Sequence, residues 1–397
     1  MMRMASKEKI SLGLVLFNLF IAYVGIGLVA PVMPSFAKEM HLSGETVGLL
    51  ISSFAFAQLL ASPITGVWVD TIGRKKMIVF GLFLFSFSEI LFGFGNQVWV
   101  LFLSRILGGI SDAFIMPAVI TYIADLTSLE NRARILGYQA AAISGGFIIG
   151  PGLGGFIAEL GIRAPFFFAA GLAFAAALVS LFVLKESLPK EQLEKNRSEK
   201  RRANIIEEIK KSFHSVYFVP FLIIFVFSFG LAAYEMIFSL FVDLKFGFTT
   251  REISVIITAG SIFGVVVQIA LFEKLVNKYG EKKLILIMLM LAAVFILATV
   301  FVSSFWGIMV VSSFVFFAMD LLRPAVTTLL SKMAEEHQGF VAGMNSAYTS
   351  LGIIVGPAIG GILLDLNVNL PYTFAAFVMC VSLVMFFVWQ GQSKMRH

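Results

Sequence analysis

The sequence predicts an all-α integral membrane protein of twelve transmembrane helices, built as two repeated six-helix bundles. Three observations lead there. Apolar residues make up 59% of the 397-residue chain and charged residues only 14%, against roughly 45–50% and 25% in soluble domains, so a soluble fold could not cover this much apolar surface. About twelve apolar segments follow one another along the chain, each near the ~20 residues that cross ~30 Å of hydrocarbon. One glycine motif also occurs twice: Gly137, Gly146, Gly150, Pro151, Gly154 and Gly155 return as Gly343, Gly352, Gly356, Pro357, Gly360 and Gly361, at the same spacing and 206 residues later.

The segments run over residues 10–34, 46–69, 77–95, 98–124, 135–160, 164–184, 216–242, 251–275, 284–302, 305–333, 339–364 and 370–390. The first is too long for a signal-peptide core, and Pro31-Val32-Met33-Pro34 after it is unlike a small-residue cleavage site, so it counts as a retained span. Residues 185–215, rich in Glu, Lys and Arg, are read as a cytoplasmic linker between an N-terminal bundle over 1–184 and a C-terminal bundle over 216–397. Residues 203–213 have an amphipathic pattern that suits the inner membrane surface, although a solvated connector is favoured over a regulatory element.

Orientation follows from charge. Of the thirty Lys and Arg residues, 24 fall in the termini and alternate loops, while only Lys38, Arg163, Lys245 and Arg251 fall on the other side. The positive-inside rule then puts both termini in the cytoplasm. The same bias accounts for the net charge of +6 and pI of 9.3 without nucleic acid, for which no basic motif with interleaved aromatics is present.

Small residues in the doubled motif let helix backbones approach closely, and its proline deletes a backbone donor and bends the helix. The motif is therefore a packing seam, a flexing interface, or both. Six ionisable residues lie within spans: Glu89, Arg105, Asp112, Glu235, Asp320 and Arg323. Each costs roughly 2.5–3.5 kcal/mol at a helix centre and so implies function or pairing. Arg105 and Asp112, seven apart, share a face of one span, while Asp320 and Arg323 are neighbours at i, i+3. Pro324 frees the carbonyl of Asp320, and Pro117 frees that of Ala113.

Gly66-x3-Asp70-x2-Gly73-Arg74-Lys75-Lys76 and Leu101-x3-Arg105 with Gly108 and Gly109 resemble the signature loop and the fourth-span motif of the major facilitator superfamily. The doubled glycine motif resembles the antiporter motif of its drug/proton exchangers, and Gly27-x3-Pro31-Val32-Met33-Pro34 the end of the first span in its twelve-span branch. With Ser228-Phe229-Gly230 before Glu235 and Asp320 before Arg323-Pro324, the whole chain is similar to the quinolone and multidrug efflux pumps of Gram-positive bacteria, the NorA and Bmr type. Two departures stand out. Thr71 replaces the usual basic residue, and the second copy of the loop, Glu273-x3-Asn277-x2-Gly280-Glu281-Lys282-Lys283, lacks the aspartate.

The resemblance implies two bundles related by a pseudo-twofold axis along the membrane normal. It further implies a gating latch at Asp70, Gly73 and Arg74 on the cytoplasmic side. A latch is favoured over a mere topology determinant, with Asp70 meeting basic residues or a helix N-terminus. Glu235 and Asp320 become the proton-coupling and cation-sensing pair, since a carboxylate at this depth must find a partner or exchange a proton. Arg323 stands beside Asp320 alone, so the two environments differ. Arg105 is read as a counter-charge for Asp112 or a participant in a proton relay. For Asp112, which the resemblance does not foresee, neutralisation of Arg105 is favoured over attraction of cationic cargo. Glu89 is assigned a local structural role.

Substrate-contact candidates by resemblance are Tyr23, Phe54, Gln58, Phe316 and Asn345, followed by Asn18, Tyr138 and Tyr234. Aromatic faces accept flat drugs and cations, and Met adapts its shape; ordinary packing explains any one of these residues as well. Enzymatic chemistry has no foothold. Cys380 is the single cysteine, the four His lack metal-ligand spacing and no G-x4-G-K-[ST] loop is present, so no disulfide, metal or phosphate-gripping loop is expected. The expected function is export of amphipathic cations and zwitterions, fluoroquinolones and dyes among them, by exchange with protons. The protein would act as a monomer in the bacterial plasma membrane without any cofactor but protons. An exporter of an endogenous metabolite or lipid, or a non-transporting sensor, would use the same architecture.

Overall fold

The computed structural model describes residues 6–189, 191, 194, 217–334 and 338–395. Most of the linker, including the amphipathic 203–213, lies outside the described residues. The helices are α1 (Ser6–Val29), α2 (Met33–Glu39), α3 (Gly44–Ile72), α4 (Arg74–Phe94), α5 (Val98–Leu126), α6 (Leu129–Ile157), α7 (Ala164–Val183), α8 (Phe218–Phe246), α9 (Thr250–Phe301), α10 (Phe305–Ala334), α11 (Gln338–Leu366) and α12 (Leu370–Met395). Eleven of them are long and apolar enough to span a membrane. They make twelve crossings, because α9 has 52 residues and leaves helical geometry at Gly280 (φ 73°, ψ 159°).

Local chemistry sets the ends. Thr249 and Glu252 form a reciprocal capping box at the start of α9, satisfying two orphan amides. Gly247, left-handed at φ 69°, closes α8. Gly73 (φ 115°) separates α3 from α4, and Gly280 occupies the same place in the second copy of that loop. Both need a backbone that side chains disfavour. The first span stops earlier than hydropathy suggests, at Val29 rather than residue 34. A turn containing Pro31 intervenes, and Met33 begins the short helix α2, whose Met33, Pro34, Phe36 and Ala37 are buried.

The chain divides into two compact units, Met1–Val32 with Ser53–Ala203, and Met33–Ser52 with Asn204–His397. In the first, α1 packs on α6 and α7, and α4 on α5 and α7. In the second, α8 packs on α11 and α12, and α9 on α10 and α12. The same neighbour pattern recurs, as duplication requires. Met33–Ser52 is fastened within the second unit by a Lys38–Asp243 ion pair at 2.7 Å, a Ser35–Thr250 hydroxyl contact at 2.9 Å, and the amides of Gly44 and Glu45 donating to the Asp365 carboxylate at 2.7 and 2.8 Å. That carboxylate meets the positive N-terminal end of α3.

Candidate functional site

In the second unit, Phe316, Asp320 and Arg323 follow one another along α10, just before the proline that interrupts its hydrogen-bond ladder at Pro324. The facing surface of α9 is glycine: a Cβ added at Gly260 would strike the Phe316 ring, and one at Gly264 would strike Asp320 Oδ2. Asp320 therefore lies on bare backbone. Glu235 on α8 is half-buried, as is Asp320, while Arg323 is exposed. Both Asp320 and Arg323 act electrostatically on Glu235, so these three charges share one neighbourhood. Neither carboxylate is locked into an ion pair among the described residues.

The first unit holds its buried charges differently. Arg105 Nη2 donates to Glu89 Oε1 on α4 at 3.0 Å, with its guanidinium 4.2 Å above the Phe92 ring centroid. Arg105 does not meet Asp112, so neutralisation of one by the other is corrected. Seven residues at 1.5 Å each separate the two by about 10 Å along the axis, too far for direct pairing, whereas Glu89 projects from the neighbouring helix. Asp112 instead accepts from Gln58 Nε2 on α3. One turn earlier on both helices, the Phe54 ring lies against Gly108. The carbonyl of Ala113, freed by Pro117, accepts from Thr65 Oγ1 at 2.7 Å. Tyr23 on α1, half-buried, is within electrostatic reach of Asp112.

At the other end of the first unit, Arg74 is buried and gathers the signature loop. Its Nη2 pairs with Asp70 at 3.0 Å, its Nη1 donates to the Val69 carbonyl at 3.0 Å, and its Nε lies 2.9 Å from Asp125 Oδ2, an ion pair by separation rather than an aligned hydrogen bond. The N-terminus of α4 is met by Glu186, which accepts from the amides of Arg74 (2.8 Å) and Lys75 (3.2 Å). A Cβ at Gly73 would collide with that carboxylate. Ser187 donates to Asp125 at 2.7 Å. Sequence reasoning missed Asp125 and Glu186. The one sits at the end of a span and the other at the head of a charged linker, where carboxylates carry no signal of their own.

The repeated glycines and the signature loop resemble those of one family, and the comparisons agree with that resemblance. The sequence matches the Major Facilitator Superfamily over residues 15–272 and 221–396. This chain belongs to that superfamily. It is 54% identical to "Multidrug resistance protein 2" of Bacillus subtilis, covering 99% of this chain and 98% of that one, and 38% identical to "Quinolone resistance protein NorA" of Staphylococcus aureus, covering 93% of each. Among solved structures it resembles the nucleoside transporter NupG (TM-score 0.76, 15% identity, 96% of this chain and 99% of that one). A bacterial homologue of the lysosomal transporter Spinster is similar too (TM-score 0.75, 13% identity, 97% and 96%). Major facilitator proteins are transporters rather than enzymes, and this member is a multi-pass membrane protein.

The doubled glycine motif of this facilitator is a helix seam inside each unit. Gly146, Gly150 and Gly154 on α6 leave no room for a Cβ against Tyr23, Val24, Gly27 and Leu28 of α1, and Pro151 packs on Gly27. Gly352, Gly356 and Gly360 on α11 do the same against Ser228, Phe229, Ala233 and Ile237 of α8. The second copy has a further face, where Gly48 meets the Pro357 carbonyl and Gly361 meets that of Gly44. Of the remaining candidates, Asn18 is fully buried and donates to Ser180 at 2.6 Å, and Tyr234 is fully buried with its hydroxyl 3.4 Å from Ser312. Both serve packing. Tyr138 is exposed and Asn345 half-buried. Cys380, the single cysteine, is exposed on α12.

Proposed function

We propose that this facilitator is a proton-driven exporter of amphipathic cationic and zwitterionic compounds, fluoroquinolones and dyes among them. The observation that carries the reading is the placement of Glu235 and Asp320, two half-buried carboxylates in one neighbourhood, neither held in an ion pair among the described residues. Such groups exchange a proton or a cation without first breaking a protein contact. Relatives named for multidrug and quinolone resistance supply the substrate class. In the cycle, deprotonated carboxylates accept the cation from the cytoplasm or inner leaflet. Protonation of Glu235 or Asp320 on the outward side weakens their hold and releases it, and the proton then returns inward.

Halves over 1–184 and 216–397 alternate access, joined by the linker 185–215, with Asp70, Gly73 and Arg74 as the cytoplasmic latch. The protein acts as a monomer in the bacterial plasma membrane, its termini cytoplasmic, a reading that the basic loops support, with protons as coupling ion and no cofactor. Phe316 and Asn345 contribute substrate contacts in the second half, and Tyr23, Phe54 and Gln58 in the first. Purified protein in liposomes with an imposed pH gradient should move a cationic dye against its own gradient. Dye movement indifferent to the pH gradient would overturn proton coupling, and no movement would overturn export.

A further inference from the structure

Asp112 is 5% exposed, and among the described residues only one of its oxygens is occupied: Oδ2 accepts from Gln58, while Oδ1 has no hydrogen-bond partner. A buried carboxylate calls for a counter-charge. The basic group nearest to it along its own helix, Arg105, is spent on Glu89 and on the Phe92 ring. At the inner end of α4, Arg74 is spent on Asp70 and Asp125. The signature-loop and span-four motifs therefore leave this carboxylate without a paired cation among the described residues.

Its surroundings are built rather than incidental. On one flank the Ser111 hydroxyl donates to the Gly81 carbonyl at 2.9 Å, and on the other the Ala113 carbonyl receives Thr65, so the backbone bearing Asp112 is fixed to both α4 and α3. Gln58 fixes one carboxylate oxygen. Two aromatic side chains belong to the same neighbourhood: Tyr23, within electrostatic reach of Asp112 and edge-on to Phe147 at 5.0 Å, and Phe54, one turn from Gln58, over Gly108. Tyr23, Phe54 and Gln58 are all half-buried, so the place is not sealed by its own side chains. A fixed carboxylate with one oxygen unoccupied and aromatic side chains nearby is an arrangement suited to a positively charged organic nitrogen or phosphonium.

We propose that Asp112, with Gln58, Tyr23 and Phe54, forms a cation-recognition site inside the first unit, for the charged centre of a lipophilic organic cation. Its residues belong to the first unit, whereas Glu235 and Asp320 belong to the second. It rests on the export reading only for its role in transport, since binding is a property of the first unit alone.

Binding of radiolabelled tetraphenylphosphonium to purified protein tests the site without a proton gradient. Asp112→Asn should weaken it about tenfold, while Asp112→Glu, which keeps the charge, should restore much of it. Wild-type affinity in Asp112→Asn overturns the site, and so does a failure of wild-type protein to bind the cation. Should the Asn variant not fold, wild-type protein labelled with dicyclohexylcarbodiimide and read by mass spectrometry decides instead: tetraphenylphosphonium should protect the Asp112 peptide, and equal labelling with and without it overturns the proposal. Asp112-dependent binding in a protein that moves no dye in liposomes would leave the site standing and remove the export function.

Discussion

Asp112 and Asp320 occupy the same rung of two repeated frames and are held in opposite ways. Gln58 and Gly264 lie 206 residues apart, the offset of the doubled glycine motif, and each is the residue of its helix that faces the aspartate; Phe54 and Gly260 form the rung before. In the first unit a large side chain from α3 lies on glycine of α5, and an amide grips the carboxylate. In the second the glycines are on α9, Phe316 comes from α10, and the carboxylate rests on backbone. Duplication thus supplies one scaffold twice, and a single change of side chain opposite the aspartate decides whether the charge is pinned or free. A pinned carboxylate suits recognition of a fixed charge. A free one suits exchange.

The largest effect expected from this comparison is on coupling. Glu235→Gln and Asp320→Asn preserve shape and should fold, yet each should lower proton-driven dye export by about a hundredfold. Asp112→Asn should spare uncharged substrates. Normal pH-driven export in both second-unit variants would erase the difference between the units.

The next concerns stability. Glu89→Gln removes the partner of Arg105 and leaves an arginine at span depth, worth about 3 kcal/mol. A thermal melt in detergent should fall by several degrees, and Glu89→Gln combined with Arg105→Gln should recover part of the loss. An unshifted midpoint in the single variant would mean that Arg105 finds another acceptor.

Gly264→Ala sharpens the contrast further. The added methyl falls where Asp320 Oδ2 now lies, so the carboxylate must turn away, and export should drop about tenfold with folding intact. Gly171→Ala, whose new Cβ meets nothing within 4 Å, is the matching control and should be silent in the same assay. Equal transport by the two would show that the glycine face of α9 does not set the position of Asp320.

The smallest effect separates the two copies of the signature loop. Both glycines have positive φ, but only Gly73 also abuts a carboxylate, that of Glu186, while Gly280 has open space. Gly280→Ala should cost about 1 kcal/mol from backbone strain alone, and Gly73→Ala more than that. Equal melting temperatures would mean that the Glu186 cap yields easily.

The sequence made the twelve crossings and the repeat legible because hydropathy and glycine spacing are one-dimensional signals. Glu235, Asp320 and Arg323 were legible for the same reason, as charges inside apolar runs. Pairings between helices were not. Arg105 and Asp112 share a helix face, which suggested a pair, but axial rise parts them and Glu89, assigned only a local role, is the true partner. Gln58 was singled out without its acceptor, because no spacing in α3 points to α5. The helix α2 was read as the tail of the first span, since Val32 and Met33 continue its hydropathy past the turn at Pro31.

Glu186 and Ser187 are the second and third residues of the linker, and they complete a charge cluster whose other members, Asp70, Arg74 and Asp125, all come earlier in the chain. The cluster therefore closes in sequence at the very head of the joint. A gene cut just beyond Ser187 would encode every group that this end of the first half needs. The same cut would part Met33–Ser52 from the second unit in which it is fastened.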